Sequence, residues 1–230
     1  MSELLNRRAP DFSLPAANGP RLSLTDLRGH IVVLHFWSAG CAWSRRADVL
    51  LVYRSLKWTP LKVSILGIAS NFAEKEEEIL HEVERRGVRY PVLFDLDQSV
   101  ANAYRARVTP QFFILDRRGI VRYTGALDDA TREQPKPKVL YVDRAVNALL
   151  ANQTPQPGMT PPYGCPISRP SDLEIKPPGP APAAAPPITA PRPTQPPRQT
   201  PSTLPGDAPS TPPPTNADQP SLPPRASSSC

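Results

Sequence analysis

Apolar residues in the first two-thirds of the chain form blocks that alternate between strand-like and helix-like spacing. The continuous apolar runs at 31–37 (IVVLHFW) and 61–70 (LKVSILGIAS) predict buried strands. Segments 41–56 and 73–87 follow them and repeat apolar side chains every three or four residues, which predicts helices. The apolar positions are Val49, Leu50, Val52, Tyr53 and Leu56 in the first helix, and Ile79, Leu80 and Val83, expected to face inward, in the second.

The same alternation continues to residue 153. A short strand is predicted at 90–95, a short helix at 98–106, a hairpin with an Arg-Arg-Gly turn at 111–125, and an amphipathic helix at 141–153. Strands alternating with helices indicate an α/β domain whose largely parallel sheet is covered on both faces, and the hairpin adds an antiparallel edge.

Proline divides the chain into parts of different character. Only 8 of the 33 prolines lie in residues 1–153, and the other 25 lie beyond them. A segment so rich in proline and so poor in apolar side chains cannot bury enough surface to offset the entropy of ordering it. We therefore expect a globular domain at 1–153, an extension at 154–175, and a disordered proline-rich tail at 176–230 that could recruit a protein partner.

Charge and apolar runs limit the classes of partner and the compartment. The net charge of +6 is scattered rather than concentrated on one face, which disfavours nucleic-acid binding. The sequence shows no signal peptide and no run long enough to span a membrane, so we expect a cytoplasmic protein without a membrane partner. Thiols stay reduced there, so the three cysteines are expected to be free or catalytic. They lack metal-site spacing, and no cofactor is predicted.

Two segments resemble the redoxins, the thioredoxin-fold group that includes the AhpC/TSA proteins and the TlpA/ResA-like oxidoreductases. Residues 9–41 (APDFSLPAANGPRLSLTDLRGHIVVLHFWSAGC) resemble the opening of these proteins, and residues 107–129 (RVTPQFFILDRRGIVRYTGALDD) resemble their second signature. A shorter likeness, PPYGCPISRP, extends the match to about residue 170. The resemblance implies a thioredoxin-like fold with a central mixed sheet between helices, and a redox-active Cys41.

Cys41 is expected where the strand at 31–37 passes into a helix. Unpaired backbone N–H groups and the helix dipole stabilise a thiolate at such a place, although a buried, inert cysteine is the alternative. Ser44 stands where a Cys-x-x-Cys motif has its second cysteine. Its hydroxyl could donate a hydrogen bond to Cys41, but it cannot form the disulfide that releases a bound substrate.

Three further residues are candidates through the resemblance. Pro110 resembles the cis-proline of thioredoxin-fold proteins, which would leave the Thr109 backbone free to pair with an extended substrate; a plain turn proline is the alternative. His35 lies six residues before Cys41, where thioredoxins have a buried acid. It is either a general base or a core histidine satisfied by a neighbour.

The other two cysteines lie beyond the domain. Cys165 is 12 residues past the predicted end of the last helix, so an extended chain of roughly 3.3 Å per residue could bring it to Cys41. It is either the thiol that resolves a Cys41 intermediate or an idle thiol in a flexible segment. Cys230 is expected to be an exposed tail thiol.

Three functions remain open on the sequence. The first is a thiol-disulfide oxidoreductase in which Cys41 attacks a disulfide and Cys165 or an external thiol, either thioredoxin or a small thiol, completes the cycle. The second is a thiol peroxidase acting on hydroperoxides, for which Pro110 stands where the family's arginine is expected and Arg107 is a weak substitute. The third is a non-catalytic thioredoxin-fold binding module.

Overall fold

The computed structural model describes residues 3–173. The predictions of a disordered tail at 176–230 and of an exposed Cys230 therefore lie outside the described residues. None of the helices in residues 3–173 is long and apolar enough to cross a membrane.

Nine strands and four α-helices follow one another along the described chain, with short 3₁₀ turns between some of them. The strands are β1 (Ser13–Ala16), β2 (Gly19–Ser23), β3 (Ile31–Trp37), β4 (Val63–Ala69), β5 (Val92–Phe94), β6 (Val108–Thr109), β7 (Gln111–Leu115), β8 (Val121–Gly125) and β9 (Cys165–Pro166). The helices are α1 (Ala42–Trp58), α2 (Glu76–Arg85), α3 (Ser99–Ala103) and α4 (Tyr141–Leu150).

Seven strands form a mixed sheet in the order β2-β1-β5-β4-β3-β7-β8. The three central strands β5, β4 and β3 are parallel, whereas β7, β8, β1 and β2 pair antiparallel. The predicted hairpin therefore forms one antiparallel edge. The opposite antiparallel edge, the β1–β2 hairpin, was not predicted. β6 and β9 form a separate two-stranded antiparallel sheet.

The apolar run of β3 is buried on both faces, as its composition predicts. Ile31, Val33 and Trp37 point into the core on one face, where α1, α2 and α4 pack. Val32, Leu34 and Phe36 point into the core on the other face, where α3 and the N-terminal segment pack. The strand that leads to Cys41 is thus fixed at the centre of the domain.

The buried face of α1 differs from the face that its apolar residues suggested. Val49 is 76% exposed, and Tyr53 and Leu56 are exposed as well, while Ala47 and Leu51 pack in the core. The polar Ser44 and Asp48 are buried with them, because positions 44, 48 and 51 share the helix face turned to the sheet. In α2, Ile79 and Val83 are buried as predicted, but Leu80 is 43% exposed.

The extension after α4 crosses the domain as a strap, defined here as residues 159–169. It passes β8 first, where Thr160 N donates to Thr124 O at 3.1 Å. Gly125 has a φ of +147° and lies against Thr160, so that any Cβ at this position would collide with the strap. The strap then reaches β6 through β9, which brings Cys165 to the sequence-predicted site.

Candidate active site

Cys41 is the N-cap residue of α1, directly after the loop that ends β3. Its backbone is extended, with φ −87° and ψ 121°, and Arg45 N donates to Cys41 O at 3.1 Å to open the helix. The thiol is buried, with 1% of the residue exposed. The predicted position at a strand-to-helix junction is therefore where the structure places it.

The peptide bond between Thr109 and Pro110 is cis. The turn brings the end of β6 over the helix N-terminus, and Cys41 Sγ donates a hydrogen bond to Thr109 O at 2.9 Å. Thr109 thus lies against Cys41, but its backbone is not free for an extended substrate as the resemblance implied, because β9 pairs with it and Cys41 donates to its carbonyl. Arg45 and Arg46 do not approach the thiol as partners, because Arg45 pairs with Glu82 and Arg46 with Asp128.

Cys165 lies beside Cys41. Strand β9 pairs antiparallel with β6 so that Thr109 is opposite Cys165, and Thr109 Oγ1 donates to Cys165 O at 3.5 Å. Both cysteines are free thiols. An added Cβ at Gly164 would collide with the Thr109 carbonyl, so glycine here is what allows the strap to approach so closely.

The pKa values of the two thiols are shifted in opposite directions. Burial acts to raise the pKa of Cys41, but hydrogen bonds from the Cys165 thiol, the Thr109 hydroxyl and the backbone N–H of Ser44 outweigh it and lower that pKa below its usual value. Burial, together with hydrogen bonding to Cys41 and its negative charge, raises the pKa of Cys165 to about 11. Cys41 is therefore the more acidic thiol of the pair, and the negative charge of an ionised Cys41 helps to keep Cys165 protonated.

The sequence suggested that the Ser44 hydroxyl could donate a hydrogen bond to Cys41, but the structure does not contain this bond. Ser44 Oγ is buried and has no hydrogen-bond partner among the described residues. The stabilising group is the Ser44 backbone N–H, which belongs to the first turn of α1. The serine fills the position sterically while the backbone supplies the hydrogen bond.

His35 lies in the core, away from the thiols' hydrogen bonds. Its ring stacks on Phe112 at a centroid distance of 5.2 Å and packs edge-on against Tyr90 at 5.5 Å. Neither ring nitrogen has a hydrogen-bond partner within the described chain. Burial lowers the pKa of His35 to about 3, so the imidazole is neutral. This environment matches a core histidine, although no neighbour satisfies its nitrogens.

The buried acid near the site is Asp48, which sequence reasoning missed. It accepts hydrogen bonds from Trp37 Nε1 at 3.1 Å and from Tyr90 OH at 2.5 Å, and it pairs with Arg86 at 2.9 Å. Burial raises the pKa of Asp48 above its usual value, although the hydrogen bonds and the charge of these partners act to lower it. A signal was present in the sequence, because Asp48 lies two helical turns after Cys41 on the face that Ser44 shares.

Arg86 ties this buried acid to the loop before Cys41. Its side chain is 4% exposed, and its guanidinium group donates to the carbonyl oxygens of Ser38 and Ala39 in addition to its pairs with Asp48 and Glu82. Arg86 directly follows the last turn of α2, so its bonds connect the end of that helix to the loop before Cys41. Four of the five N–H donors of this buried arginine thus bind two acidic and two carbonyl partners.

The strap is held on both sides of Cys165. Tyr163 packs edge-on against Trp43 with ring centroids 4.8 Å apart, which places Trp43 under the strap. Ile167 is buried among apolar side chains on the α3 face, and Ile167 N donates to Arg107 O at 2.9 Å. The side chain of Arg107 is exposed.

Within residues 3–173 no three His, Cys, Asp or Glu side chains are grouped so as to hold a metal ion.

The sheet order and the facing of Cys41 and cis-Pro110 define a thioredoxin-fold protein with a thiol site. The chain belongs to the AhpC/TSA family, whose model matches residues 5–124, more than half of its length. The family prediction made from the sequence is confirmed.

Similar proteins carry names from thiol-disulfide chemistry. The chain is 33% identical over 132 residues to the thiol:disulfide interchange protein DsbE of Xylella fastidiosa, covering 55% of this chain and 64% of that protein. It is 30% identical over 113 residues to the thiol-disulfide oxidoreductase ResA of Bacillus subtilis, covering 49% and 62%. The chain thus spans just under two-thirds of these relatives. An uncharacterized conserved protein of Geobacillus kaustophilus has a similar crystal structure, with a TM-score of 0.68, 30% identity, and coverage of 74% and 93%.

Proposed function

We propose that this protein is a thiol-disulfide oxidoreductase in which Cys41 is the nucleophile and Cys165 is the resolving thiol. The observation that carries the proposal is the pairing of β9 with β6, which sets the Cys165 thiol beside Cys41 in a site that lacks a Cys-x-x-Cys motif. The names of the relatives DsbE and ResA support disulfides as the substrate class.

The strap must leave Thr109 before a disulfide can enter, because Cys41 is 1% exposed while the strap is docked. The Cys41 thiolate then attacks one sulfur of the substrate disulfide, forms a mixed disulfide, and releases the other sulfur as a thiolate. When the strap returns, the Cys165 thiolate attacks Cys41 Sγ. The bond to the substrate breaks, the substrate leaves as its second thiolate, and a Cys41–Cys165 disulfide remains.

The order of these steps follows from the charges at the site. The negative charge of Cys41 is among the causes that raise the pKa of Cys165. Formation of the mixed disulfide removes that charge, and the backbone N–H groups of Ala42 and Trp43, which lower the pKa of Cys165, remain. Cys165 therefore becomes a better nucleophile only after Cys41 has reacted. An external dithiol, or two equivalents of a small thiol, returns the pair to the reduced state by supplying two electrons.

The peroxidase and binding-module hypotheses have weaker support. The exposed Arg107 side chain does not provide the peroxide-polarising group that a peroxidase would need at Cys41, since Arg107 meets the strap through its backbone carbonyl. A module without catalysis does not require a second thiol paired opposite Thr109.

The test is to follow both thiols by mass spectrometry after one equivalent of oxidised glutathione. In a Cys230→Ser background, we expect a Cys41–Cys165 disulfide and two released glutathione thiols. Cys165→Ser should accumulate the Cys41–glutathione adduct, because no resolving thiol is present. Cys41→Ser should lose at least about 100-fold in reaction rate, because the thiol with the lowered pKa is removed while burial still raises the pKa of Cys165.

Three results would count against the proposal. Turnover retained in Cys41→Ser would remove Cys41 as the nucleophile. Release of the second glutathione from Cys165→Ser as fast as from the parent would remove Cys165 as the resolving thiol. Fast sulfenic acid formation with hydrogen peroxide, alongside slow reaction with the disulfide, would favour the peroxidase instead.

A further inference from the structure

We propose that Asn71 and Glu74 are positioning residues that couple docking of the strap to the loop carrying Cys41. This inference rests on the proposed function, because it concerns the step in which Cys165 returns to resolve the Cys41 intermediate. Both residues lie between β4 and α2, and the sequence patterns gave neither a role.

On the strap side, Asn71 recognises Ser168 with its side-chain oxygen. Asn71 Oδ1 accepts from Ser168 N at 2.8 Å and also from the Ser168 hydroxyl. The same turn adds Ala73 N, which donates to Ser168 Oγ at 3.0 Å, and Phe72 N, which donates to Ser168 O at 3.3 Å. Ser168 is three residues beyond Cys165, so these bonds form when the Cys165 segment is in place.

The amide nitrogen of Asn71 contacts Glu74, which binds the loop that leads to Cys41. Asn71 Nδ2 donates to Glu74 Oε1 at 3.0 Å. The Glu74 carboxylate also accepts from Ser38 Oγ at 2.5 Å, and from Ala39 N and Gly40 N at 2.9 Å each. Gly40 precedes Cys41, so this one carboxylate holds the backbone immediately before the nucleophile.

The chemistry of the asparagine side chain makes the connection directional. A primary amide has its acceptor and its donors on opposite atoms, so one orientation of Asn71 satisfies both the strap and Glu74. Release of the strap removes both Ser168 donors from Asn71 Oδ1 and leaves the amide free to turn. The full set of bonds on Glu74 is therefore complete only while Cys165 faces Cys41, which orders the loop for the resolving step.

A double-mutant cycle tests the coupling, using Ser168→Ala and Glu74→Gln in the full chain with Cys230→Ser. The probe is 5,5′-dithiobis(2-nitrobenzoate), because release of the first thionitrobenzoate reports attack by Cys41 and release of the second reports closure by Cys165. Each variant should slow closure about three- to tenfold, as expected for the loss of one such hydrogen bond. The double variant should be slowed clearly less than the product of the two, since both act through Asn71.

Repeating the cycle in Asn71→Ala should make the two effects independent of one another. Glu77→Gln, an exposed residue of α2, is the matched control and should leave both phases unchanged. Multiplicative effects with Asn71 present would overturn the inference, as would equal slowing of the first and second phases, which is what general loosening of the fold would produce. If the parent releases no second thionitrobenzoate, the proposed function fails. If closure is normal but the cycle shows no coupling, only the inference about Asn71 and Glu74 fails.

Discussion

The burial of the His35 imidazole should give folding a pH dependence. The imidazole is enclosed by Phe112 and Tyr90, and its buried nitrogens have no hydrogen-bond partner in residues 3–173. Its folded-state pKa of about 3 lies below the unfolded value of 6.5. The unfolded chain therefore binds a proton that the folded chain does not, so this residue lowers stability as the pH falls from 6.5 towards 3.

His35→Leu should remove that dependence, because leucine does not titrate and suits an apolar site. Between pH 7 and pH 5, the parent should lose about 2 kcal/mol more unfolding free energy than the variant, from 1.36 kcal/mol per pH unit. Urea unfolding at the two pH values measures this difference, with His81→Leu on the exposed face of α2 as the control. Parallel pH profiles for His35→Leu and the parent would mean that the imidazole takes up protons in the folded state, as a general base must.

At the scale of elements, β9 is a two-residue strand whose position depends on glycine. Gly164 allows the strap to lie against the Thr109 carbonyl, whereas an added Cβ at Gly158, just before the strap, would meet ordinary van der Waals contacts with Leu5 at 3.5 Å. The two glycines of one segment thus form a matched pair.

Gly164→Ala should displace β9 and separate Cys165 from Cys41. We expect closure of the Cys41 mixed disulfide to slow by about tenfold or more, because productive alignment of two reacting groups is lost. Gly158→Ala should close at nearly the parent rate. The rate of second-thiol release measures both, and equal rates for the two variants would show that strap alignment does not limit closure.

Elements with a strong apolar pattern were predicted from the sequence, and those without one were not. β3 and the β7–β8 hairpin follow from continuous apolar runs, and their bounds agree closely with the predicted 31–37 and 111–125. β1 and β2 carry few buried side chains, so their pairing leaves no apolar signal. β6 and β9 are too short for any periodicity and exist because the chain returns after α4.

The site shows the same division. Cys41 and cis-Pro110 were recognisable because each belongs to a local motif next to a predicted element. Asn71 and Glu74 were not, because their partners are separated from them in sequence by 97 and up to 36 residues. An asparagine and a glutamate in a polar turn have no local feature that distinguishes them from solvent-exposed residues.

At the scale of the whole molecule, the two thiols that meet at the site are 124 residues apart in the sequence. α1 to α4 and β4 to β8 all lie between Cys41 and Cys165. A disulfide between these residues would close a loop of about 120 residues, for which the chain-entropy relation gives about 4 to 5 kcal/mol.

The oxidised protein should therefore melt about 10 °C higher than the reduced protein, from about 2–4 °C per kcal/mol for a domain of this size. Calorimetry of the two forms at one pH in the Cys230→Ser background measures the difference, and adding Cys41→Ser and Cys165→Ser to that background gives the control that has no thiol to oxidise. A reduced form that melts at or above the oxidised one would show that closure strains the docked strap.

The pairing of β9 beside Cys41 also sets how Cys165 competes with the free thiols around it. Folding and oxidation form a closed cycle, so whatever free energy the disulfide adds to folding, folding adds to formation of the disulfide. A gain of about 4 kcal/mol corresponds to an effective concentration of Cys165 at Cys41 about a thousandfold higher than in the unfolded chain. A thiol in solution competes with Cys165 at this effective concentration only while the strap is docked. Whether Cys41 reacts with Cys165 or with an external thiol therefore depends on the position of this segment of eleven residues.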